Sequence, residues 1–200
     1  MARVPAVERR RMLIEAAFTV MARVGVPAAT TRLICTEAGV PQSVFHYCFG
    51  SKDELFRELT TTVVTDMLGS ALDSLVEGES FQDSLRDSLQ RMAESALERP
   101  DRQLALYELT TTMLRDPTTA PLARWQYEQY FDHTAQLLLA VAERAEMAWT
   151  APIEVLGRFA TTVIDGAVLG WLTDRDTAQV TQMIDRLATQ LATSAAAASP

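Results

Sequence analysis

Cysteine, histidine and lysine are scarce in this chain of 200 residues, which has two cysteines, two histidines and a single lysine. The cysteines, Cys35 and Cys48, are too few for a disulfide framework, and no Cys/His grouping has zinc-ligand spacing. A Gly-rich phosphate loop and a Ser-His-Asp pattern are also missing. The sequence therefore favours neither an enzyme nor a metalloprotein, and we expect no cofactor and no metal site.

Glycine, proline and aromatic residues are also few, with 8 Gly, 8 Pro and 7% aromatic side chains. Ala, Leu, Glu, Arg and Thr fill the stretches between them, without the Val/Ile/Tyr alternation that strands require. Apolar residues make up 48% of the chain, which is enough for the core of one or two compact domains. We therefore predict an all-α fold.

Long hydrophobic runs are missing as well. Glu154, Arg158 and Asp165 interrupt the most apolar stretch, whereas a membrane span needs about 20 predominantly apolar residues. Residues 1–11 are basic, but the segment after them has the pattern of an amphipathic helix and not of a signal-peptide core. A cytoplasmic protein without membrane contact is expected.

Positive charge is concentrated near the start of the chain. The formal charge is −8 overall, yet residues 1–52 contain seven basic and three acidic side chains, which gives +4. Residues 53–200 therefore have a formal charge of −12. A small basic segment joined to a larger acidic one indicates that the basic segment binds a polyanion such as nucleic acid, while the rest of the chain has another role.

Apolar spacing and helix-stop residues predict nine helices. The predicted helices cover 7–24, 30–38, 41–47, 51–76, 80–98, 101–115, 121–147, 152–173 and 177–197. At the start of the fourth helix, Ser51 and Glu54 form a predicted capping box, in which the Glu54 carboxylate returns to the Ser51 amide. The Ala-rich residues 192–200 are expected to fray.

The segment 31–47 joins two short helices through a tight turn at Gly39, with Val44 expected to pack against Leu33, Ile34 and Ala38. This arrangement is a helix-turn-helix. Its sequence and flanks read RRRMLIEAAFTVMARVG and then TTRLICTEAGVPQSVFHYCFGSKDEL. Over about residues 8–58 the chain resembles the N-terminal DNA-binding domain of the TetR (tetracycline repressor) family of transcriptional regulators.

The resemblance implies a homodimer that binds an operator in double-stranded DNA. It implies repression that ends when a small, mostly apolar molecule binds the C-terminal domain. Residues 1–52 would form the helix-turn-helix domain and residues 53–200 the helical ligand-binding and dimerisation domain, with helix 51–76 connecting them. The alternative is a DNA-binding dimer without a small-molecule ligand, controlled by a partner protein.

Seven polar or charged side chains at helix starts and along the second helix of the motif are suited to DNA, through hydrogen bonds to base edges and phosphates. These residues are Thr31, Arg32, Gln42, Ser43, His46, Tyr47 and Lys52. By the resemblance, Lys52 aligns with a lysine that many relatives place on the DNA backbone. His46, Cys48 and Pro41 depart from the residues common in the family, so a different operator preference is expected.

Aromatic, methionine and hydroxyl side chains in the C-terminal part are typical of a small-molecule pocket and equally of a helical core. The resemblance favours a pocket, lined by Met92, Tyr107, Thr111, Trp125, Phe131 and Asp165. Asp165 lies in apolar surroundings and needs a partner, either a polar group of the ligand or a hydroxyl or amide at a helix contact. Residues 104–114, with Glu108 as their one acid, are predicted to form a buried helix.

The last two predicted helices carry the predicted dimer contact, a four-helix bundle across a two-fold axis. Gly166, Ala167 and Gly170 permit close approach of a second helix.

Two questions stay open in the basic segment. Cys35 and Cys48 are either a redox switch or apolar core filler, and residues 9–11, three arginines, either touch flanking DNA or form a solvated first turn.

Overall fold

The computed structural model describes residues 5–76 and 78–198, and within them the chain forms nine α-helices and a two-stranded ribbon. The helices are α1 (Ala6–Val24), α2 (Thr31–Glu37), α3 (Gln42–Cys48), α4 (Lys52–Asp73), α5 (Phe81–Leu97), α6 (Pro100–Leu114), α7 (Ala120–Arg144), α8 (Ile153–Asp174) and α9 (Thr177–Ala192). The predicted all-α class is confirmed. Arg3 and residues 199–200, which entered the charge and tail predictions, lie outside the described residues.

The ribbon pairs β1 (Met147–Trp149) with β2 (Ala195–Ala197) in antiparallel register, with Met147 opposite Ala197. The prediction that the tail frays is therefore wrong for residues 195–197. Flanking backbone hydrogen bonds extend the pairing, from Thr150 N to Ser194 O at 2.8 Å and from Ala198 N to Glu146 O at 2.9 Å. Because backbone groups make this pairing, alanine side chains gave no signal for it.

The chain divides into two compact units, each assembled from two segments. Unit 1 comprises the residues up to Thr62 together with Pro100–Gln126, and unit 2 comprises Val63–Arg99 together with the residues from Tyr127 onward. The helix-turn-helix thus shares a unit with α6 and with the first turns of α7. The functional boundary after residue 52 stays a prediction.

The first three helices of unit 1 pack around a core of large apolar side chains. Phe45 and Phe49 are almost completely buried, with ring centroids 5.5 Å apart. Val44, expected to pack against Leu33, Ile34 and Ala38, is half-buried, and Leu33 is 39% exposed, so this packing stays a prediction. The inward positions belong to Phe45 and Ile34, one residue further along each helix.

Helix α6 packs against α1 within unit 1. The Arg102 guanidinium lies 3.8 Å from the ring centroid of Phe18. Glu108 accepts a hydrogen bond from Val26 N at 3.0 Å, two residues after α1 ends at Val24. The prediction of a helix buried all round is wrong, because Leu104 and Leu114 are more than half exposed.

Unit 2 is built around α5, α8 and α9, which contact one another. Leu85 and Leu89 of α5, Val168 of α8 and Ile184 of α9 are buried. Among the described residues, α8 is the one helix long and apolar enough to cross a membrane, by length and composition only. Core helices pass the same test, and 39% of its apolar window is buried within the chain.

Candidate functional site

The exposed faces of α2 and α3 form the candidate nucleic-acid interface. Thr30 caps α2, its hydroxyl accepting from Leu33 N at 3.2 Å, and Gly39 makes the turn with φ +66°. Helix α3 buries Phe45 and Cys48. The opposite side of this short helix presents four exposed polar residues, Gln42, Ser43, His46 and Tyr47.

Two of the predicted contact residues meet across this surface. The Gln42 amide nitrogen donates to the Thr31 hydroxyl at 3.4 Å, which joins the start of α3 to the start of α2. Tyr47, near the other end of α3, is 68% exposed. The helix-turn-helix therefore holds amide, hydroxyl and phenol groups on one accessible face, as a major-groove reader requires.

The two remaining predicted cations differ in their surroundings. Arg32 is exposed, whereas Lys52 is half-buried with its ammonium 5.2 Å from the Phe56 ring centroid. Burial lowers the pKa of Lys52, and the charge of Asp53 opposes that shift. Neither cation forms an ion pair within residues 5–76 and 78–198.

The start of α4 departs from the predicted capping box. The Ser51 hydroxyl accepts from Glu54 N at 3.1 Å as predicted. The Glu54 carboxylate, however, accepts from Gly50 N at 2.8 Å and not from Ser51 N. Its other oxygen lies 3.4 Å from the Arg10 guanidinium, a long-range contact that the local motif could not indicate.

Arg10 joins three helices. Its guanidinium donates to the Cys48 carbonyl at the end of α3 and to Glu58 of α4 at 2.8 Å, and it lies 4.6 Å from the Phe49 ring centroid. Sequence reasoning considered Arg10 only as a DNA contact or a solvated residue and missed this internal role. The signal was the pair of acids Glu54 and Glu58, one helical turn apart in α4.

The two cysteines lie inside the helix-turn-helix. Both are free and buried. Burial raises the pKa of the Cys35 thiol, with a smaller opposing hydrogen bond from the backbone of Phe45. A buried thiol with a raised pKa is poorly reactive, so this environment favours the apolar-filler interpretation over the redox switch.

Comparison with known proteins agrees with this geometry. A family model described as "Bacterial regulatory proteins, tetR family" matches residues 13–59. Over 186 residues the chain is 26% identical to the HTH-type nicotine-responsive transcriptional repressor HdnoR of Paenarthrobacter nicotinovorans, covering 92% of this chain and 94% of that protein. It is 25% identical over 187 residues to the transcriptional repressor AcnR of Corynebacterium efficiens, covering 92% and 93%.

A solved structure of a TetR transcription regulator from Haloarcula marismortui has the same fold, with a TM-score of 0.71 at 18% identity, covering 95% of this chain and all of that one. Residues 13–59 therefore match the DNA-binding domain of TetR-family proteins, and the resemblance to TetR-family transcriptional regulators is confirmed. TetR-family proteins are DNA-binding regulators and not enzymes, which confirms the expected functional class.

In unit 2, Asp165 has a hydroxyl partner. Tyr127 of α7 donates to Asp165 Oδ2 of α8 at 2.8 Å. Burial, and then the charge of Asp165, raises the pKa of the Tyr127 phenol far above its ordinary value. Tyr127 is thus a hydroxyl partner at a helix contact, one of the two kinds considered for Asp165, and a ligand role for Asp165 stays a prediction.

Met92 and Phe131 are the other predicted pocket residues of unit 2. Met92 is buried, and its sulfur lies 3.9 Å from the Thr134 hydroxyl, which itself accepts from Thr161 at 2.9 Å. Phe131 is half-buried beneath the Arg158 guanidinium, 4.6 Å from its ring centroid. Unit 2 thus surrounds these side chains with a few hydrogen-bonded hydroxyls.

Tyr107, Thr111 and Trp125, the remaining predicted pocket residues, belong to unit 1. Thr111 is exposed, with its hydroxyl donating to the carbonyls of Tyr107 and Glu108. Trp125 is half-buried under the Arg57 guanidinium, at 4.7 Å from the ring centroid. A ligand role for all six residues stays a prediction.

The described part of the chain contains no group of three metal-ligating side chains.

Sequence reasoning missed an open groove of about 630 Å³ in unit 2, between α7 and α8. Its charged lining residues are Glu128, Asp132, Glu154 and Arg158. The available signal was the spacing of four residues within each pair, 128 with 132 and 154 with 158, which places each pair on one helix face. Phe159 and Val155 of α8 supply the apolar lining.

Proposed function

We propose that this TetR-family regulator is a homodimeric repressor that binds operator DNA through α2 and α3 and is released by a small, mostly apolar effector. The observation that carries the proposal is the polar, exposed face of α3 set on a buried aromatic core. The +4 charge of residues 1–52 supports attraction to DNA. Binding of chromosomal DNA implies a cytoplasmic location.

We assign different roles to the seven DNA-facing residues. Gln42 and Ser43, at the start of α3, are placed to read base edges, because an amide and a hydroxyl both donate and accept hydrogen bonds. Arg32, Tyr47 and Lys52 are assigned to phosphates, which fix orientation without reading sequence. Thr31 accepts a hydrogen bond from the Gln42 amide and so positions that side chain. His46 lies on the same exposed side of α3 as Gln42.

We infer that the dimer forms through α8 and α9. Val155, Phe159 and Leu169 of α8 and Met183 of α9 are between 39% and 60% exposed, an apolar surface that needs a cover. A Cβ built on Gly166 would meet nothing within 4 Å, so the surface of α8 is open to a second helix. A two-fold bundle of these helices would give the dimer two copies of α3, one for each half-site of an operator.

The effector is proposed to bind within unit 2, at Met92, Phe131 and Asp165, and a ligand role for Tyr107, Thr111 and Trp125 of unit 1 stays a separate prediction. HdnoR is named as nicotine-responsive, which supports control by a small molecule here. An effector with a donor group would compete with Tyr127 for Asp165. Release requires that the effector bind the two states of the dimer with different affinity. Helices α4 and α7 run from one unit into the other and provide covalent links for such coupling.

The experiment screens small apolar molecules for thermal stabilisation and then measures release from a fluorescent duplex derived from DNA upstream of the gene. We expect a hit that raises the melting temperature and weakens operator binding about tenfold or more. The matched variant is Asp165→Asn, which keeps the shape of the side chain. It should weaken the effector response and leave operator affinity without effector unchanged.

A screen in which no compound both stabilises the protein and weakens its operator binding would contradict the effector proposal. It would favour the alternative, a DNA-binding dimer controlled by a partner protein. Equal changes in operator affinity and effector response in Asp165→Asn would contradict the assignment of Asp165 to the effector. Neither result would affect the assignment of α2 and α3 to DNA.

A further inference from the structure

We propose that Arg9 of α1 and Tyr47 of α3 together form a phosphate-binding pair at the edge of the DNA interface. The inference rests on the proposed assignment of the α3 face to operator DNA and extends that interface to the first helix. Arg9 precedes the residues matched by the family model, which begin at residue 13. It therefore adds a contact that the family motif does not assign.

The basic side chains of residues 5–52 fall into two groups. Arg10, Arg11 and Arg23 are held by carboxylates at 2.8, 2.7 and 2.7 Å. Arg9 and the two cations already assigned to phosphate form no ion pair with any described residue. Of the three consecutive arginines, Arg9 is therefore the one whose charge is not engaged by a carboxylate of the protein.

Arg9 is nevertheless held in place. Its guanidinium carbon lies 5.4 Å from the ring centroid of Tyr47. The neighbouring Arg10 fixes α1 to the end of α3 through the Cys48 carbonyl and to α4 through Glu58. The ring contact lowers the conformational freedom that a long side chain would lose on binding.

The donors of Arg9 are also unused. Its Nε is buried and has no hydrogen-bond partner within the described residues, and no hydrogen bond from its terminal amines is formed there either. Tyr47 is 68% exposed beside it. The terminal amines of Arg9, beside an accessible phenol, are matched to a phosphodiester, whose oxygens accept from both groups. A phosphate that binds here would therefore not have to displace a carboxylate of the described residues from Arg9.

The test measures equilibrium binding of the full-length protein to an upstream duplex and to a mixed-sequence duplex, at several salt concentrations. Arg9→Gln should weaken binding to both duplexes about tenfold and reduce the slope of log K against log salt by about 0.9, the value for one phosphate contact. Tyr47→Phe keeps the ring and loses the hydroxyl, so it should weaken both duplexes less. The matched control is Arg11→Gln, which removes the same charge from an exposed residue paired with Glu8.

Two results would overturn the proposal. One is a salt slope for Arg9→Gln that falls no further than for Arg11→Gln. The other is a loss on the upstream duplex alone with an unchanged salt slope, because that pattern means that Arg9 only supports the position of α3. A wild-type protein that binds neither duplex would instead contradict the proposed function. Circular dichroism melting of each variant confirms that the helix-turn-helix stays folded.

Discussion

The hydrogen bond between Tyr127 and Asp165 shows how one polar side chain is accommodated at a helix contact of unit 2. Asp165 lies in a stretch of α8 that is otherwise apolar or small, and a carboxylate there is stable only with a donor. Tyr127 supplies that donor from α7 at 2.8 Å. The need for a partner is visible in the sequence, whereas the identity of the partner depends on a contact across 38 residues of chain.

Tyr127→Phe is expected to lower the free energy of unfolding by about 1–2 kcal/mol, because it removes the Tyr127 hydroxyl that donates to the Asp165 carboxylate. Urea denaturation measures the change at neutral pH. Tyr47→Phe, which alters an exposed phenol, is the control and should change stability by less than about 0.5 kcal/mol. Equal stability of wild type and Tyr127→Phe would show that this hydrogen bond contributes nothing.

The raised pKa of Tyr127 also predicts that the free energy of unfolding depends on pH. The pKa of Tyr127 is raised by burial and by Asp165, so the folded state keeps the phenol protonated at pH values where the unfolded chain ionises it. The stability that this group contributes is complete below about pH 10 and is lost as the pH rises further. The difference in stability between wild type and Tyr127→Phe should therefore shrink above about pH 10. A constant difference up to pH 11 would contradict the raised pKa.

Helix contacts depend on close backbone approach as well as on side chains. Gly157 of α8 lies so near α7 that a Cβ built there would be 2.9 Å from the Phe131 carbonyl oxygen. Because that oxygen belongs to a helix backbone, it cannot yield as a flexible side chain would. The crossing of α7 and α8 therefore requires glycine at this position.

Gly157→Ala should destabilise the protein by about 2 kcal/mol, the typical cost of overpacking a helix contact. Gly69→Ala is the matched control, since Gly69 is also helical and a Cβ there would meet nothing within 4 Å. The control should stabilise the protein by up to about 1 kcal/mol through helix propensity. Thermal and urea unfolding of both variants test the contrast. A neutral or stabilising Gly157→Ala would contradict this account of the α7 and α8 contact.

Local sequence patterns predicted the helices. The features that the sequence did not reveal depend on contacts between residues that are far apart along the chain. Apolar spacing and the turn at Gly39 are local, so nine helices and the helix-turn-helix were predictable. Arg10 was not, because its partners lie 38 to 48 residues away. The attachment of α6 to α1 through Glu108 spans 82 residues and had no local sign. The exposed polar face of α3 could be predicted from the helical periodicity of its sequence. The lack of an ion pair at Arg9 among the described residues could not, because it depends on which of the neighbouring arginines contact carboxylates.

At the scale of the whole molecule, charge and exposed apolar surface lie in different parts of the chain, which fits the proposed DNA-binding dimer. Residues 1–52 have a formal charge of +4 and the rest of the chain −12. The apolar residues of α8 that stay exposed in one chain, among them Leu169 at 50%, lie on a single helix face. In the proposed dimer, a second copy of the chain would cover that surface of α8.

Leu169→Glu is expected to shift the dimer to monomer and to raise the dimer dissociation constant about 100-fold, because it places an unpaired charge in the proposed contact. Leu139→Glu is the matched control, since Leu139 of α7 is 49% exposed and lies outside the proposed contact. Sedimentation velocity over a range of concentrations distinguishes the two variants. A dimer that survives Leu169→Glu, or dissociates equally with Leu139→Glu, would contradict an interface on α8 and α9.

The central claim is sequence-selective binding of DNA through the helix-turn-helix, and one titration tests it most directly. Wild type, Lys52→Ala and Gln42→Ala are titrated against duplexes from the upstream region of the gene at several salt concentrations. We predict selective binding by wild type, a salt slope about 0.9 smaller for Lys52→Ala, and lost selectivity of about 1–3 kcal/mol for Gln42→Ala. Weak binding of wild type to every duplex, with neither variant changing it, would contradict the account.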